Sequence, residues 1–239
     1  ENYFKNYNNE KIIGSITPEY LFYDKVPERI YDKLGKNIKL IFILRNPVKR
    51  AYSHYLMSLS RGYEKMSFEE AIQIEKERIQ KDDFHFNHFS YLSRGFYYKQ
   101  IARYLKLFDR ENMLFLSFEN DIVKNIDTTV KRIVDFLDVD SYNFNSILKS
   151  NVATKPRFIL LNKILNTSSI FKDIVRSILP NKKLREKIIK FLRSTNSENY
   201  NYKELNLDLH NEILERYFLE DIAKLNNLTE DQFKYFLDS

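Results

Sequence analysis

An apolar run that ends at an arginine constrains the fold of this chain more than any other feature. Residues 38–44, IKLIFIL, form a run of strand length without polar–apolar alternation. Such runs are typical of strands that are covered on both faces, as in a parallel sheet. Arg45 follows directly, and an unpaired arginine is costly to bury. We therefore expect an anion close to the end of this strand.

The residues after Arg45 predict a helix. Asn46 is a residue type that caps helices, and Pro47 suits the first turn. Apolar side chains then recur at helical spacing and form one stripe, which consists of Val48, Ala51, Tyr52, Tyr55, Leu56 and Leu59.

The remaining segments continue an alternation of strands and helices. Strands are predicted at 11–17 and 112–119, in addition to 38–44, and helices at 26–35, 67–80, 96–108 and 126–139, with an almost entirely helical part beyond Pro180 that includes 209–228. This order predicts an α/β fold with a parallel central sheet flanked by helices and a helical C-terminal part. We expect residues 1–239 to form a single domain, with the ligand at the carboxyl ends of the strands.

Composition narrows the possible chemistry. The net charge of +6 favours an anionic partner, and nucleic acid, a phosphorylated cofactor and an acidic polysaccharide all fit it. The absence of cysteine excludes disulfides, a cysteine nucleophile and a thiolate metal site. His85 and His88 are three residues apart, but we interpret them as part of a solvated loop and expect no metal. No apolar stretch has the length of a membrane span and no signal peptide is visible, so we expect a cytoplasmic protein.

Arg45 and Ser53 are the residues that we expect to hold an anion. A helix N-terminus presents free N–H groups, Arg45 offers a bidentate guanidinium, and Ser53 offers a hydroxyl. A phosphate monoester on a nucleotide ribose would use both side chains. The alternative is that Arg45 pairs with a carboxylate and that Ser53 is an ordinary surface residue.

The stretch LIFILRNPVKRAYSHY (40–55) resembles the 3′-phosphate-binding segment of sulfotransferases that use 3′-phosphoadenosine 5′-phosphosulfate (PAPS). Arg45 and Ser53 match that segment in residue type and in spacing. The Arg-Asn-Pro and Arg-Ala-Tyr-Ser pieces resemble the bacterial and heparan-sulfate branch. Further likeness lies in GSITPEYLF (14–22) and in segments 93–122, 130–139 and 214–228. The resemblance implies a fold related to P-loop nucleotide kinases, PAPS as co-substrate and a glycan acceptor.

Other residues gain a candidate role from this resemblance. Lys155 and Arg157 fall where the family has a basic loop over the nucleotide, although a solvated loop would also account for them. Tyr97 lies where a helix approaches the nucleotide and could touch adenine, but its spacing also fits a core position. Glu119 has a structural role in this interpretation, and no catalytic base is assigned.

The sequence departs from the family in one respect. The family's first strand, its phosphosulfate-binding loop with Lys and Gly-Thr, and the helix that follows should precede residue 11. No Lys-Gly-Thr segment occurs in the 239 residues, and Ser15 stands where a Glu is common. We therefore expect an N-terminally incomplete domain, which would be inactive when tested alone because the leaving phosphate lacks its cation.

Three functions are consistent with these sequence features. The first is transfer of a sulfuryl group from PAPS to a hydroxyl or amine, with a glycan as the favoured acceptor. The second is a non-enzymatic polyanion- or nucleic-acid-binding α/β protein that uses the basic segment 181–194, with Leu184, Ile188, Ile189 and Leu192 facing inward. No recognised nucleic-acid-binding module supports the second function, so we expect no nucleic-acid partner. A nucleotide kinase is the third, and the absence of a P-loop motif disfavours it.

Overall fold

The computed structural model describes residues 8–140, 154–156, 181–199 and 204–237. The α-helices are α1 (Val26–Leu34), α2 (Pro47–Ser60), α3 (Phe68–Gln73), α4 (Glu75–Arg78), α5 (Asp83–Phe89), α6 (Tyr97–Leu105), α7 (Ile126–Leu137), α8 (Lys182–Thr195), α9 (Leu207–Ile213) and α10 (Leu219–Thr229). The strands are β1 (Leu40–Leu44), β2 (Met113–Ser117), β3 (Thr154–Pro156) and β4 (Ser197–Asn199). Two π-helical segments, Phe118–Lys124 and Leu214–Phe218, follow β2 and α9.

The chain divides into two compact units. The first consists of Glu1–Pro47, Arg94–Ile147 and Glu212–Ser239, and the second of Val48–Ser93 and Leu148–Asn211. Each unit is therefore assembled from segments that are distant in sequence.

A parallel pair of strands lies at the centre of the first unit. β1 and β2 pair in register from Leu40 opposite Met113 to Leu44 opposite Ser117. Phe42 and Phe115 stack with their ring centroids 5.2 Å apart, which adds a cross-strand aromatic contact to the ladder. Both strands were predicted from their apolar runs, and both carboxyl ends lie at the same edge because the strands are parallel.

The prediction that β1 is covered on both faces is wrong for the described residues. Phe42 and Leu44 are buried, whereas Ile41 and Ile43 are exposed. The strand therefore has one covered face, and its burial alternates although its sequence does not. An apolar run shows which residues tolerate burial, but it does not show how many elements pack around them.

The strand predicted at 11–17 is also absent. These residues have no regular secondary structure, and a single 3₁₀ turn follows at Pro18–Leu21. Ile12, Ile13 and Ile16 are exposed. A β-branched segment becomes a strand only when a neighbour supplies backbone partners, and no described strand lies beside this one.

Helices α6 and α10 pack together in the first unit. Ile101 and Tyr104 on α6 and Ile222 and Leu225 on α10 are buried in the core. Asp221 accepts the backbone N–H of Tyr98 at 3.1 Å, so a side chain of α10 satisfies a free donor in the first turn of α6.

In the second unit, the helix predicted at 67–80 is divided into α3 and α4. Ser67 and Glu70 form the predicted capping box at the start of α3. The break falls at Ile74, just before Glu75, whose buried carboxylate accepts hydrogen bonds from Leu92 N at 2.6 Å and from Ser93 N at 2.8 Å. The amides of Leu92 and Ser93 therefore fix the position of Glu75. The helical pattern of residues 67–80 does not predict these contacts, because the two amides lie outside it.

The second unit also contains a short antiparallel pair and a basic helix. Thr154 to Pro156 in β3 pair with Asn199 to Ser197 in β4. Helix α8 forms as predicted from the segment 181–194, but Leu184 does not face inward. Its side chain is exposed, and Ile188, Ile189 and Leu192 are half-buried.

Candidate functional site

Arg45 occupies the first position after β1, at the carboxyl end of the strand. Helix α2 begins two residues later at Pro47. β2 ends beside β1 at Ser117, and Phe118 and Glu119 follow it at the start of a π-helical segment. The ends of the two parallel strands therefore bring Arg45 and Glu119 together, as expected for the ligand-binding edge of an α/β sheet.

The carboxylate of Glu119 contacts both residues that join β1 to α2, Arg45 and Asn46. Its two oxygens accept the backbone N–H of Asn46 at 3.3 and 3.2 Å, and one oxygen lies 3.7 Å from Nε of Arg45. Asn46 is buried, and its side-chain amide donates to the carbonyl of Phe236 at 3.2 Å. These contacts fix the backbone from which the Arg45 side chain extends.

The guanidinium of Arg45 keeps capacity for another anion. Its Nε atom is buried and makes no hydrogen bond within the part of the chain that the structure describes. The side chain as a whole is 37% exposed, and the guanidinium carbon lies 5.3 Å from the centroid of the Phe118 ring. Glu119 is thus the carboxylate that the alternative interpretation expected, but at 3.7 Å it leaves the Nε proton without a hydrogen-bond acceptor.

Tyr97 supports the same junction from helix α6. Its ring is buried, and its hydroxyl donates to the carbonyl of Arg45 at 3.0 Å. The ring centroid lies 6.5 Å from that of Phe236. These contacts are those of a core residue that positions Arg45, which is the second of the two interpretations of Tyr97 in the sequence.

Ser53 and Lys155 belong to the second unit. Ser53 is exposed on α2. Lys155 is the middle residue of β3 and pairs with Glu198 in the ladder. Arg157 lies outside the described residues. The structure therefore does not test whether these residues share one site with Arg45.

A half-buried tyrosine and an acidic side chain lie near the strand ends in the first unit. Burial raises the pKa of Tyr235, and the nearby carboxylates of Glu119 and Asp121 raise it further. Asp121 accepts the backbone N–H of Ser117 and a hydrogen bond from Arg132, each at 2.6 Å. The sequence carries a partial signal for the two acidic residues, because Glu119 ends the predicted strand 112–119 and Asp121 lies just beyond it.

Neither a cluster of metal ligands nor a membrane-spanning helix occurs in the described residues. Within residues 8–140, 154–156, 181–199 and 204–237, no three His, Asp or Glu side chains are grouped as metal ligands would be. Over the same ranges, no helix combines the length and apolarity that crossing a membrane requires.

Comparison with known proteins places the chain in a class. The sulfotransferase domain family matches residues 15–226, which is most of the chain. The chain therefore belongs to the sulfotransferase domain family.

Curated relatives come from this family. The heparan sulfate glucosamine 3-O-sulfotransferase 3B1 of Mus musculus is 32% identical over 121 residues, which are 51% of this chain and 30% of the relative. The membrane-associated sulfotransferase kil1 of Dictyostelium discoideum is 39% identical over 56 residues, which are 23% of this chain and 12% of kil1. The matched part of the chain thus spans less than a third of the length of these relatives.

A solved structure confirms the fold. The sulfotransferase from Alicyclobacillus acidocaldarius superimposes with a TM-score of 0.57 at 23% identity, over 91% of this chain and 64% of that chain. The α/β architecture predicted from the alternation of strands and helices is therefore correct.

Proposed function

We propose that this chain is part of an enzyme that transfers a sulfuryl group from PAPS to a hydroxyl or amine of a glycan. The observation that carries the proposal is Arg45, with its buried and unbonded Nε at the carboxyl end of β1, in a chain of the sulfotransferase family. An arginine fork beside a helix N-terminus suits a phosphate.

Four residues would bind the 3′-phosphate of the nucleotide. Arg45 would bind the 3′-phosphate with its guanidinium, and Ser53 would add a hydroxyl to the same group. This pairing is drawn from the eight-residue spacing in the sequence. Lys155 and Arg157 would supply further positive charge to that phosphate. PAPS, when bound, supplies the sulfuryl group, and adenosine 3′,5′-bisphosphate is left when that group has been transferred.

The acceptor class is proposed from the relatives. The mouse relative is named as a heparan sulfate glucosamine 3-O-sulfotransferase, and its match covers half of this chain. The net charge of +6 suits an acidic acceptor such as a sulfated or carboxylated polysaccharide.

A thermal-shift experiment tests the donor class. A ligand that binds only the native state stabilises it by mass action, by about 2.7 kcal/mol at a concentration of about 100 times Kd. We expect adenosine 3′,5′-bisphosphate to raise the unfolding temperature, and ATP and duplex DNA to leave it unchanged. A shift with ATP alone would support a kinase instead, and a shift with DNA alone would support a nucleic-acid-binding protein.

Calorimetry of Arg45→Ala tests the residue that carries the proposal. Loss of charge-assisted hydrogen bonds should weaken binding of adenosine 3′,5′-bisphosphate by about 1.5–3 kcal/mol. Adenosine 5′-phosphate has no 3′-phosphate and should bind both proteins with equal affinity. An equal loss for both ligands would show that Arg45 does not contact the 3′-phosphate.

A further inference from the structure

Almost all of the net positive charge of the chain lies in one helical segment. Residues 181–194 contain six basic residues and one acidic residue, a net charge of +5, whereas the whole chain carries +6. Helix α8 covers nearly all of this segment, and the side chains of Lys187 and Lys190 are exposed on it. The remaining 225 residues are therefore close to neutral.

The same helix also exposes large apolar side chains. Leu184 is 47% exposed and Phe191 is 65% exposed. Together with Ile188 they follow the spacing i, i+4, i+7, which places all three along one side of the helix. Ile188 is half-buried, so this side of α8 is covered only in part.

We propose that α8 docks on the surface of an anionic lipid bilayer. Helices that lie in the membrane interface combine basic side chains with Phe and Leu. On α8, Lys187 is three residues from Leu184 and four from Phe191, so exposed basic and apolar side chains lie next to each other. Basic residues are attracted to the headgroups, and each strengthens binding by roughly fivefold. The exposed phenyl and leucyl groups gain free energy by leaving water for the acyl boundary.

The apolar side chains favour a bilayer over a soluble polyanion. A sulfated polysaccharide would neutralise Lys187 and Lys190 but would leave Leu184 and Phe191 in water. A lipid surface accommodates both kinds of side chain at once. Attachment of α8 to a bilayer does not depend on the nucleotide chemistry, so the two can be tested separately.

Sedimentation with vesicles tests the charge contribution. We expect the chain to pellet with vesicles of equimolar phosphatidylcholine and phosphatidylglycerol, and to stay in solution with phosphatidylcholine alone. The double variant Lys187→Glu/Lys190→Glu should weaken binding by more than about tenfold. The control Lys25→Glu/Lys33→Glu makes the same change in net charge at exposed positions of the first unit, and should bind as the unaltered chain does.

A second pair of variants tests the apolar contribution. Leu184→Ser/Phe191→Ser should also reduce binding by more than about tenfold, because the apolar area is lost while every charge is kept. Leu219 and Leu34 are exposed to a similar degree, 49% and 65%, so Leu219→Ser/Leu34→Ser is the matched control. Unfolding temperatures of all variants verify that the fold is retained.

Fluorescence distinguishes a bilayer from a soluble polyanion. The chain has no tryptophan, so Phe191→Trp introduces a single reporter. We expect its emission to shift to the blue with the anionic vesicles and to stay unchanged with heparin, whereas Leu34→Trp shifts with neither. Failure to pellet with anionic vesicles would overturn the proposal. So would full binding of Leu184→Ser/Phe191→Ser together with displacement of the chain from vesicles by heparin.

Discussion

At the scale of single residues, Glu119 links the end of β2 to the start of helix α2. Its carboxylate accepts the backbone N–H of Asn46, which lies 73 positions earlier in the chain, and lies 3.7 Å from Arg45 Nε. The position of Arg45 between a strand and a helix could be predicted, because its neighbours on both sides form a local pattern. Its supports could not, because the bond from Tyr97 to the Arg45 carbonyl joins residues 52 positions apart.

Removing the carboxylate of Glu119 should destabilise the first unit. Glu119→Ala deprives the buried Asn46 of both oxygen acceptors, and a buried donor that loses its acceptor costs about 1–3 kcal/mol. Glu119→Gln keeps one oxygen and should lose less. Denaturant unfolding measures both variants, and equal stability of Glu119→Ala and the unaltered chain would contradict a positioning role.

Asp221 makes stability depend on pH. Burial raises its pKa from the ordinary value of 3.8 to about 6, although Tyr98 N–H, Lys99 and Lys224 favour the charged form. Because the folded state binds this proton more tightly, the stabilisation is complete below about pH 4 and is lost as the pH rises through about 6. Through this carboxyl group, the native state is therefore less stable at neutral pH than at pH 4.

The variant Asp221→Asn removes this titration and keeps an oxygen for the Tyr98 amide. We expect its stability relative to the unaltered chain to increase by on the order of 1–2 kcal/mol between pH 4.5 and pH 7.5, after allowance for solvent screening. Denaturant unfolding at both pH values measures the difference. A difference that does not change with pH would show that Asp221 titrates normally.

At the scale of elements, helix boundaries that depend on neighbouring residues could be predicted from the sequence. Helix α1 has Pro27 at its start, and Gly35 has a φ of +74° just beyond its end, as the sequence indicated. The break between α3 and α4 depends on amides of Leu92 and Ser93, more than a dozen residues away. The sequence did not predict this break, because the hydrogen-bond partners beside it lie far away along the chain.

Gly95 lies where the chain packs so closely against Phe218 and Pro47 that no side chain fits. A Cβ at this position would lie 2.8 Å from Cε1 of Phe218 and 3.1 Å from Cβ of Pro47. Phe218 is fully buried, so it has little freedom to shift. We expect Gly95→Ala to cost about 1–3 kcal/mol through overpacking. Gly14→Ala is the control, because a Cβ there meets nothing within 4 Å. Equal unfolding free energies for the two variants would contradict the contact.

At the scale of the whole molecule, the α/β class followed from the alternation of strands and helices. The single domain expected for residues 1–239 stays a prediction. Within the two compact units, Arg45 belongs to the first and Ser53 to the second. A helix that begins at Pro47 and continues to Ser60 carries the chain from one unit into the other. Local patterns give no sign of this division, because each unit is built from segments that are distant in sequence.

The shared phosphate site proposed for Arg45 and Ser53 can be tested by a double-mutant cycle. Arg45→Ala should weaken adenosine 3′,5′-bisphosphate by about 1.5–3 kcal/mol and Ser53→Ala by about 0.5–1.5 kcal/mol. If one phosphate binds both side chains, the double variant should lose less than the sum, with a coupling of at least about 0.5 kcal/mol. Adenosine 5′-phosphate, as the control ligand, should show no coupling. Strict additivity in calorimetry would mean that the two residues act independently, and Ser53 would then be an ordinary surface residue of α2.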